Sequence, residues 1–357
     1  MPEPSRARVV TVAGAAGILG IELLRLLSEN AFPVGELRPV RETDAAAPEG
    51  DLEKPDSVEW LDDDLPLRNS DAAAYEGADL AFLTGSPEDA GNAAKLSFTR
   101  VPVTIDLSGR FADNLDVPLV LAELGDAALE KLPPRALIAV PDAATAIVAL
   151  ALAPLHAAFG LKHVTLSTYE AASGRGRAGM DELGKQIRAL FNYQPVEPSV
   201  FPRAIAFNAV PQVDALEADG HTRGERAMIS GLTRLLRAVP GAPATVPQIL
   251  ATRAWVPIFS GHSVSISVET EKSFTAEDAR VVLMKAAAIE IHDDPEEGEY
   301  PVNGEAVGGD VVLLGRMRTP AQSAGTRLAF WVTADNLRRG SALAAVRVAE
   351  ALLARST

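Results

Sequence analysis

The sequence predicts an α/β protein of two domains, and three observations predict it. The first third alternates short aliphatic runs with helix-patterned stretches. A glycine-rich turn joins the first such run to the first helical stretch. After Pro141 the pattern changes to one long apolar helix followed by longer strand-like runs. With 357 residues, 47% of them hydrophobic, the chain is long enough for more than one packed core. In order, Arg8 to Val12 reads as a strand, Gly17 to Ser28 as a helix and Val34 to Arg41 as a second strand, a βαβ opening. Apolar runs at Asp79 to Thr84, Val103 to Leu107, Leu119 to Ala122 and Ala136 to Val140 extend it into a mostly parallel sheet buried on both faces. The acidic stretch from Ala45 to Asp64 has little periodicity and reads as a solvated connection. Ala143 to Phe159 reads as the long apolar helix. Strands are expected at His163 to Tyr169, Ile249 to Phe259, Ser263 to Glu269, Val311 to Met317 and Arg327 to Thr333, and their length fits an antiparallel sheet in an α+β domain. A terminal amphipathic helix, Arg338 to Ala354, is expected to pack back on the first domain.

Composition removes several function classes. The formal net charge of −15 and a pI near 4.9 repel nucleic acid and anionic lipid, and no basic run offsets them locally, so neither a nucleic-acid nor a membrane partner is expected. No run of eighteen apolar residues occurs, and Met1 to Arg6 lacks the layout of a secretion signal; the expected location is cytoplasmic. Cysteine is absent altogether, which excludes disulfides, thiolate metal sites and thiol nucleophiles. His156, His163, His221 and His292 fall on separate elements without metal-ligand spacing, and no metal is expected.

Gly14, Gly17 and Gly20 follow the first strand and open the first helix with G-x-x-G-x-x-G spacing. This is the arrangement that lets backbone N–H groups approach a pyrophosphate at a positive helix end. It implies a Rossmann-type dinucleotide-binding domain, with Gly14, Ala16, Gly17, Ile18, Leu19 and Gly20 as cofactor-binding candidates; a tight strand-to-helix turn alone would also use these glycines. The second strand ends in Arg41, Glu42, Thr43 and Asp44, which offer both an acid for a ribose hydroxyl and an arginine for a 2′-phosphate, so NAD and NADP both stay open.

Longer stretches carry a resemblance. VVTVAGAAGILGIELLRLLSENAFP from Val9, DLSGRF from Asp106, DVPLVLAEL from Asp116, STYEAASGRGRAGMDEL from Ser167, IAFNAVPQVD from Ile205, VPIFSGHS from Val256 and ADNLRRGSALAAV from Ala334 together resemble aspartate-semialdehyde dehydrogenases almost end to end. The resemblance implies a dinucleotide-binding domain from 1–142 and 335–357, a substrate and dimerisation domain from 143–334, and a homodimer. It also implies Ser173, Gly174 and Asn336 near the nicotinamide.

In that family a cysteine next to an asparagine attacks the substrate aldehyde, hydride passes to NADP, and phosphate cleaves the thioester. Here the resemblance puts Ala143 at the nucleophile, leaving that position vacant, and Asp142 at its neighbour. Glu170 takes the place of a glutamine, Trp255 of the substrate-carboxylate arginine and Ala112 of a phosphate-binding arginine. A phosphate-binding lysine and its partner glutamate fall more loosely at Ala227 and Gly224, with Arg223, Glu225 and Arg226 close enough to shift that register. His262 keeps the family's general-base position, or else persists as a packed residue beside Tyr169 and Trp255. Thr145 and Ser173 are poor substitutes for the thiol. Lost cations and gained carboxylates suggest a site of reversed sign, since like charges about 4 Å apart cost on the order of a kilocalorie even in water. The expectation is a protein resembling the Usg-type members that lack the cysteine, acting as a dimeric binding or regulatory protein, able to pair with an active homologue. The alternative is an NAD- or NADP-dependent oxidoreductase using Glu170, Asp142 or His262 as acid or base.

Overall fold

The computed structural model describes residues 7–42, 55–125, 127–130, 132–320 and 325–355. Contacts divide it into two compact units: residues 1–122, 126–142 and 341–357 form one, and residues 123–125 with 143–340 form the other.

The first unit is built on β1 (Arg8–Ala13), α1 (Ile18–Glu29) and β2 (Val34–Val40), then a hairpin of β3 (Ser57–Trp60) and β4 (Asp63–Pro66). It continues through α2 (Ala72–Tyr75), β5 (Leu80–Leu83), α3 (Pro87–Ser97), β6 (Val103–Asp106) and β7 (Ala136–Ala139). The five long-sheet strands run in the order β2-β1-β5-β6-β7, every pair parallel. Alternation sorts each strand between two cores. Val10, Val12, Phe82, Ile105 and Ile138 point to the face covered by α1 and the C-terminal helix, whereas Ala13, Ala81 and Leu83 point to the face covered by α2 and α3.

Two expectations fail here. The part of the acidic stretch that is described forms the β3–β4 hairpin, because Val58 is buried and packs with the α1-side core while Leu61 takes the left-handed backbone a tight turn requires; residues 45–54 of that stretch, and Thr43 and Asp44 before it, lie outside the described residues. The run from Leu119 to Ala122 contributes only one bridge, Leu119 to Ala139, before a 3-10 turn at Ala122–Leu124. Among its described residues the connection from β6 to β7 therefore carries no α-helix.

The second unit opens with α4 (Ala143–Phe159). Twelve of its seventeen residues are buried, as a helix apolar on every side requires. There follow β8 (Leu161–Glu170), α5 (Gly176–Phe191), α6 (Arg223–Arg237), β9 (Gln248–Trp255), β10 (His262–Thr270), α7 (Ala276–Met284), β11 (Ile289–Ile291), α8 (Asn303–Ala306), β12 (Val312–Arg318) and β13 (Arg327–Ala334). The sheet order is β11-β12-β13-β10-β8-β9. The sheet is mixed rather than antiparallel, since β8 pairs parallel with β9 and β11 with β12. One face lies on α4. The other carries Ser265, Ser267 and a stacked Tyr169–Trp331 pair with ring centroids 5.1 Å apart. The terminal helix starts later than its pattern suggests: Arg338–Ala342 forms a π-helical turn, and α9 (Leu343–Arg355) then returns to the first unit, where it packs on α1.

Near the end of α4, His156 sets a pH dependence. Its Nδ1 accepts the Leu161 N–H at 3.0 Å, its Nε2 is buried without a partner among the described residues, and burial lowers its pKa. Below about pH 6.5 the unfolded chain takes up a proton that the folded chain refuses, so stability falls as pH drops through that value. Thermal melts at pH 7.5 and 5.5 should show a larger loss for the native protein than for His156→Gln.

Candidate functional site

The glycine turn follows β1 directly. Gly14 has φ +83°, and a Cβ there would lie 2.5 Å from the Gly85 nitrogen; a Cβ on Gly20 would lie 2.3 Å from the Gly14 carbonyl oxygen. Packing alone therefore demands glycine at both. Gly17 is different: a Cβ there meets nothing nearer than 3.3 Å, yet it occupies the N-cap of α1, leaving the helix start with no capping side chain and no acid in the first turn. The Gly17 N–H donates to the Gly14 carbonyl oxygen at 3.0 Å, and the backbone N–H groups of Ile18 and Leu19 are at a positive helix end without a capping side chain, beside Ala16, whose side chain brings no polar atom. Glu42 turns its carboxylate toward this loop, 2.9 Å from where a Cβ on Gly85 would sit, while Arg41 reaches the Leu67 carbonyl oxygen at 3.4 Å and Asp56 at 3.6 Å. Gly14, Gly85, Arg41 and Glu42 line one recess. These residues fit a dinucleotide with an acid at its ribose.

In the second unit, Ala143, the position the resemblance implies for the nucleophile, is the first residue of α4. Ala143 is half-buried, and its Cβ lies 2.8 Å from where a Cβ on Gly340 would stand. Asp142 immediately precedes the helix, where a carboxylate is stabilised by the helix dipole whatever else it does. Thr145 is buried within α4, and Ala112 lies just after the β6 turn of the first unit.

Strand pairing assembles the remaining groups. Thr168 and Glu170 of β8 share a buried face with Arg253 and Trp255 of β9, and His262 begins β10 beside the end of β8. Glu170, only 2% exposed, is clamped by Arg253: Nε donates to Oε1 at 2.6 Å and Nη2 to Oε2 at 3.0 Å. Thr168 Oγ1 also donates to Glu170 Oε1 at 2.7 Å, and Arg253 Nη1 donates to the Gly224 carbonyl oxygen at 3.0 Å. The expected reversal of charge is corrected by this pair. The carboxylate gained at position 170 brings its own guanidinium two residues before Trp255. A second cation, Arg175, stacks on the indole itself, 5.4 Å from the ring centroid. Reading single positions missed both arginines. The alternation Ala251, Arg253, Trp255 was the available signal, because in a strand i and i+2 share a face.

His262 is held rather than free. Its Nδ1 accepts the Ala171 N–H at 3.1 Å, so in the neutral ring the proton sits on Nε2, 3.9 Å from Glu170 Oε2. Its ring and Trp255 both lie against Gly174, whose missing side chain would meet the indole at 3.0 Å and the imidazole at 3.4 Å. Tyr169 is not part of this group: it points to the opposite sheet face and stacks on Trp331. Asn336 Oδ1 accepts from Ser173 Oγ at 3.0 Å and from the Gly261 N–H at 2.9 Å, fixing the Ser173–Gly174 loop against the turn that leads to His262.

Around α6 the loosely placed positions resolve. Gly224 cannot carry a side chain, since a Cβ would lie 2.7 Å from the Val213 carbonyl oxygen. Glu225 closes a capping box with Thr222 and accepts the Arg253 N–H at 3.2 Å. Arg223 pairs with Asp214, Arg226 with Glu217 and Asp219, all largely exposed, and Ala227 carries no charge. None of these cations joins the Glu170 group. Among the described residues no set of three His, Asp or Glu side chains is placed to hold a metal ion, and no helix is long and apolar enough to cross a membrane.

Comparison with known proteins places these elements. Residues 9–132 match the family model of the semialdehyde dehydrogenase NAD binding domain, and residues 152–339 match that of the semialdehyde dehydrogenase dimerisation domain. The chain is similar to the aspartate-semialdehyde dehydrogenase of Aquifex aeolicus, 34% identical over 346 residues covering 96% of this chain and 97% of that one. It is also similar to that of Shewanella violacea, 32% identical over 345 residues with the same coverage. Among solved structures, aspartate semialdehyde dehydrogenase II of Vibrio cholerae superposes with a TM-score of 0.85 at 30% identity, covering 98% of this chain and 99% of that one.

Proposed function

The chain belongs to the semialdehyde dehydrogenase family, and from that premise we propose that it is a dimeric dinucleotide-binding protein that keeps the family's cofactor cradle and has given up thioester chemistry, as the resemblance to Usg-type members suggests. One observation carries the reading: the position that starts α4 holds only the Ala143 methyl group, in a chain without any cysteine. No covalent adduct with an aldehyde can form there.

The uncapped α1 start and the inward Glu42 support NAD over NADP, with Gly14, Ala16, Gly17, Ile18, Leu19 and Gly20 at the pyrophosphate and Ser173, Gly174 and Asn336 assigned to the nicotinamide end by the family resemblance. Calorimetric titration tests this. NAD is expected to bind more tightly than NADP, and Glu42→Arg to reverse that order. Gly17→Asp should weaken either by more than about tenfold, because its carboxylate occupies the positive helix end and repels the pyrophosphate, without loss of melting temperature. Absence of saturable binding by both nucleotides would reduce the first unit to a scaffold.

Dimerisation is supported by the matched family domain and by the outer face of its sheet, where small hydroxyl side chains surround the Tyr169–Trp331 stack. Light scattering at micromolar concentration should give twice the chain mass, and Trp331→Glu should shift it to one. A cysteine-bearing relative could occupy the partner position in the same way, which would make this chain a regulatory subunit.

A second reading, an oxidoreductase with a different substrate, is favoured by His262. A bound nicotinamide supplies hydride exchange. For their part, Nδ1 anchored on Ala171 leaves Nε2–H as a hydrogen-bond and proton donor, and Arg175 on Trp255 presents a cation to an anionic group. Glu170, clamped by Arg253, serves here as a neutralised support rather than as a free base.

A further inference from the structure

A parallel sheet needs cover on both faces, and the α3 side of this one lacks it at the edge. The described residues of the β6–β7 connection supply no α-helix, and beyond α3 the side chain of Leu137 on β7 opens onto a cavity of about 780 Å³. One stripe of α3 and its C-cap forms the wall, with Gly91, Ala94, Lys95 and the capping Phe98 at helical spacing; Phe98 is 51% exposed. Across from it stands the turn after β6. Buried Asp106 holds that turn, accepting from the Ser108 N–H at 3.0 Å and the Phe111 N–H at 3.1 Å, and Gly109 supplies its φ of +78°. The result places Phe111 and Arg110 on the cavity, the guanidinium Nε 3.5 Å from where a Cβ on Gly91 would sit.

The charges decide what fits. Among the described residues Lys95 and Arg110 make no side-chain hydrogen bond or ion pair and Glu88 is the one acid lining the cavity, while the chain as a whole carries −15. Two cations that form no hydrogen-bonded ion pair beside an apolar floor, in so acidic a protein, are complementary to an anion on an apolar body, although Arg110 also feels the buried Asp106 carboxyl behind its turn. We propose that the groove between α3 and β7 binds a small amphipathic anion, a carboxylate or sulfonate carried on a planar apolar ring system. It is separate from the recess formed by Gly14, Gly85 and Glu42, with which it shares no residue.

Titration of the full chain with 8-anilinonaphthalene-1-sulfonate, followed by fluorescence, tests the assignment, with uncharged N-phenyl-1-naphthylamine as the comparison. The sulfonate is expected to bind one per chain, about tenfold tighter than the neutral ring system. The Lys95→Ala, Arg110→Ala double variant should lose about that factor for the sulfonate only. Gly91→Leu, which fills the groove, should abolish both, and Lys285→Ala just after α7 should change neither. Equal affinity of native and double-variant protein for the sulfonate overturns the proposal. So does loss of binding in Phe191→Ser, because it would move the dye to the exposed Phe191–Phe207 pair, whose rings meet edge-on at 6.1 Å.

Discussion

Purified protein given aspartate semialdehyde, phosphate and NADP is expected to reduce no nucleotide, and Ala143→Cys is expected to leave that result unchanged. A thiol at the first residue of α4 would be chemically competent, since a helix N-terminus lowers a cysteine pKa. What it would lack is the machinery around it. The resemblance puts a substrate-binding arginine at Trp255 and a phosphate-binding arginine at Ala112, and each charge-assisted contact is worth about 1.5–3 kcal/mol. Two such losses leave a single-cysteine variant on the order of 10²- to 10⁴-fold below a complete site. Ala143→Cys combined with Trp255→Arg and Ala112→Arg should recover measurable turnover, followed as nucleotide absorbance at 340 nm. Turnover by the native chain, surviving removal of contaminating enzyme, would refute the loss of function and point to an oxygen nucleophile.

Replacing Arg253 by methionine should be the most destabilising single change in the second unit. Arg253 is 6% exposed and Glu170 2%, so removing the guanidinium strands a buried carboxylate, and breaking such a pair from one side costs about 3–5 kcal/mol. Glu170→Gln in the same background should return most of that loss. In the family resemblance glutamine is the residue at this position, and the amide needs no counter-charge. Urea denaturation of the two single variants and the double variant measures the coupling. An Arg253→Met protein as stable as the native one would show that the pair is not closed in solution, and would restore Glu170 as a candidate acid or base.

Much of the first unit was legible because its signals are local. The strand, glycine turn and helix from Arg8 to Glu29 lie within about twenty residues, and the all-round apolarity of Ala143–Phe159 specifies a buried helix without reference to any partner. The β3–β4 hairpin was hidden by its charges: with Asp62, Asp63 and Asp64 in the turn region, the buried Val58 is the main apolar cue. Helices α3 and α6 carry capping side chains and α5 an amphipathic pattern that were there to be read; Thr222 and Glu225 stand at capping-box spacing.

The missing thiol needed no structure. Absence of cysteine is a property of composition, and no packing can supply a missing sulfur. The sign of the surrounding site was a different kind of question. Charges cancel or reinforce according to distance, and the residues that answer Glu170 and Trp255 are 83 and 80 positions away from them in the chain, at Arg253 and Arg175 respectively. Only the parallel pairing of β8 with β9, and the turn that lays Arg175 over the indole, bring those partners within reach.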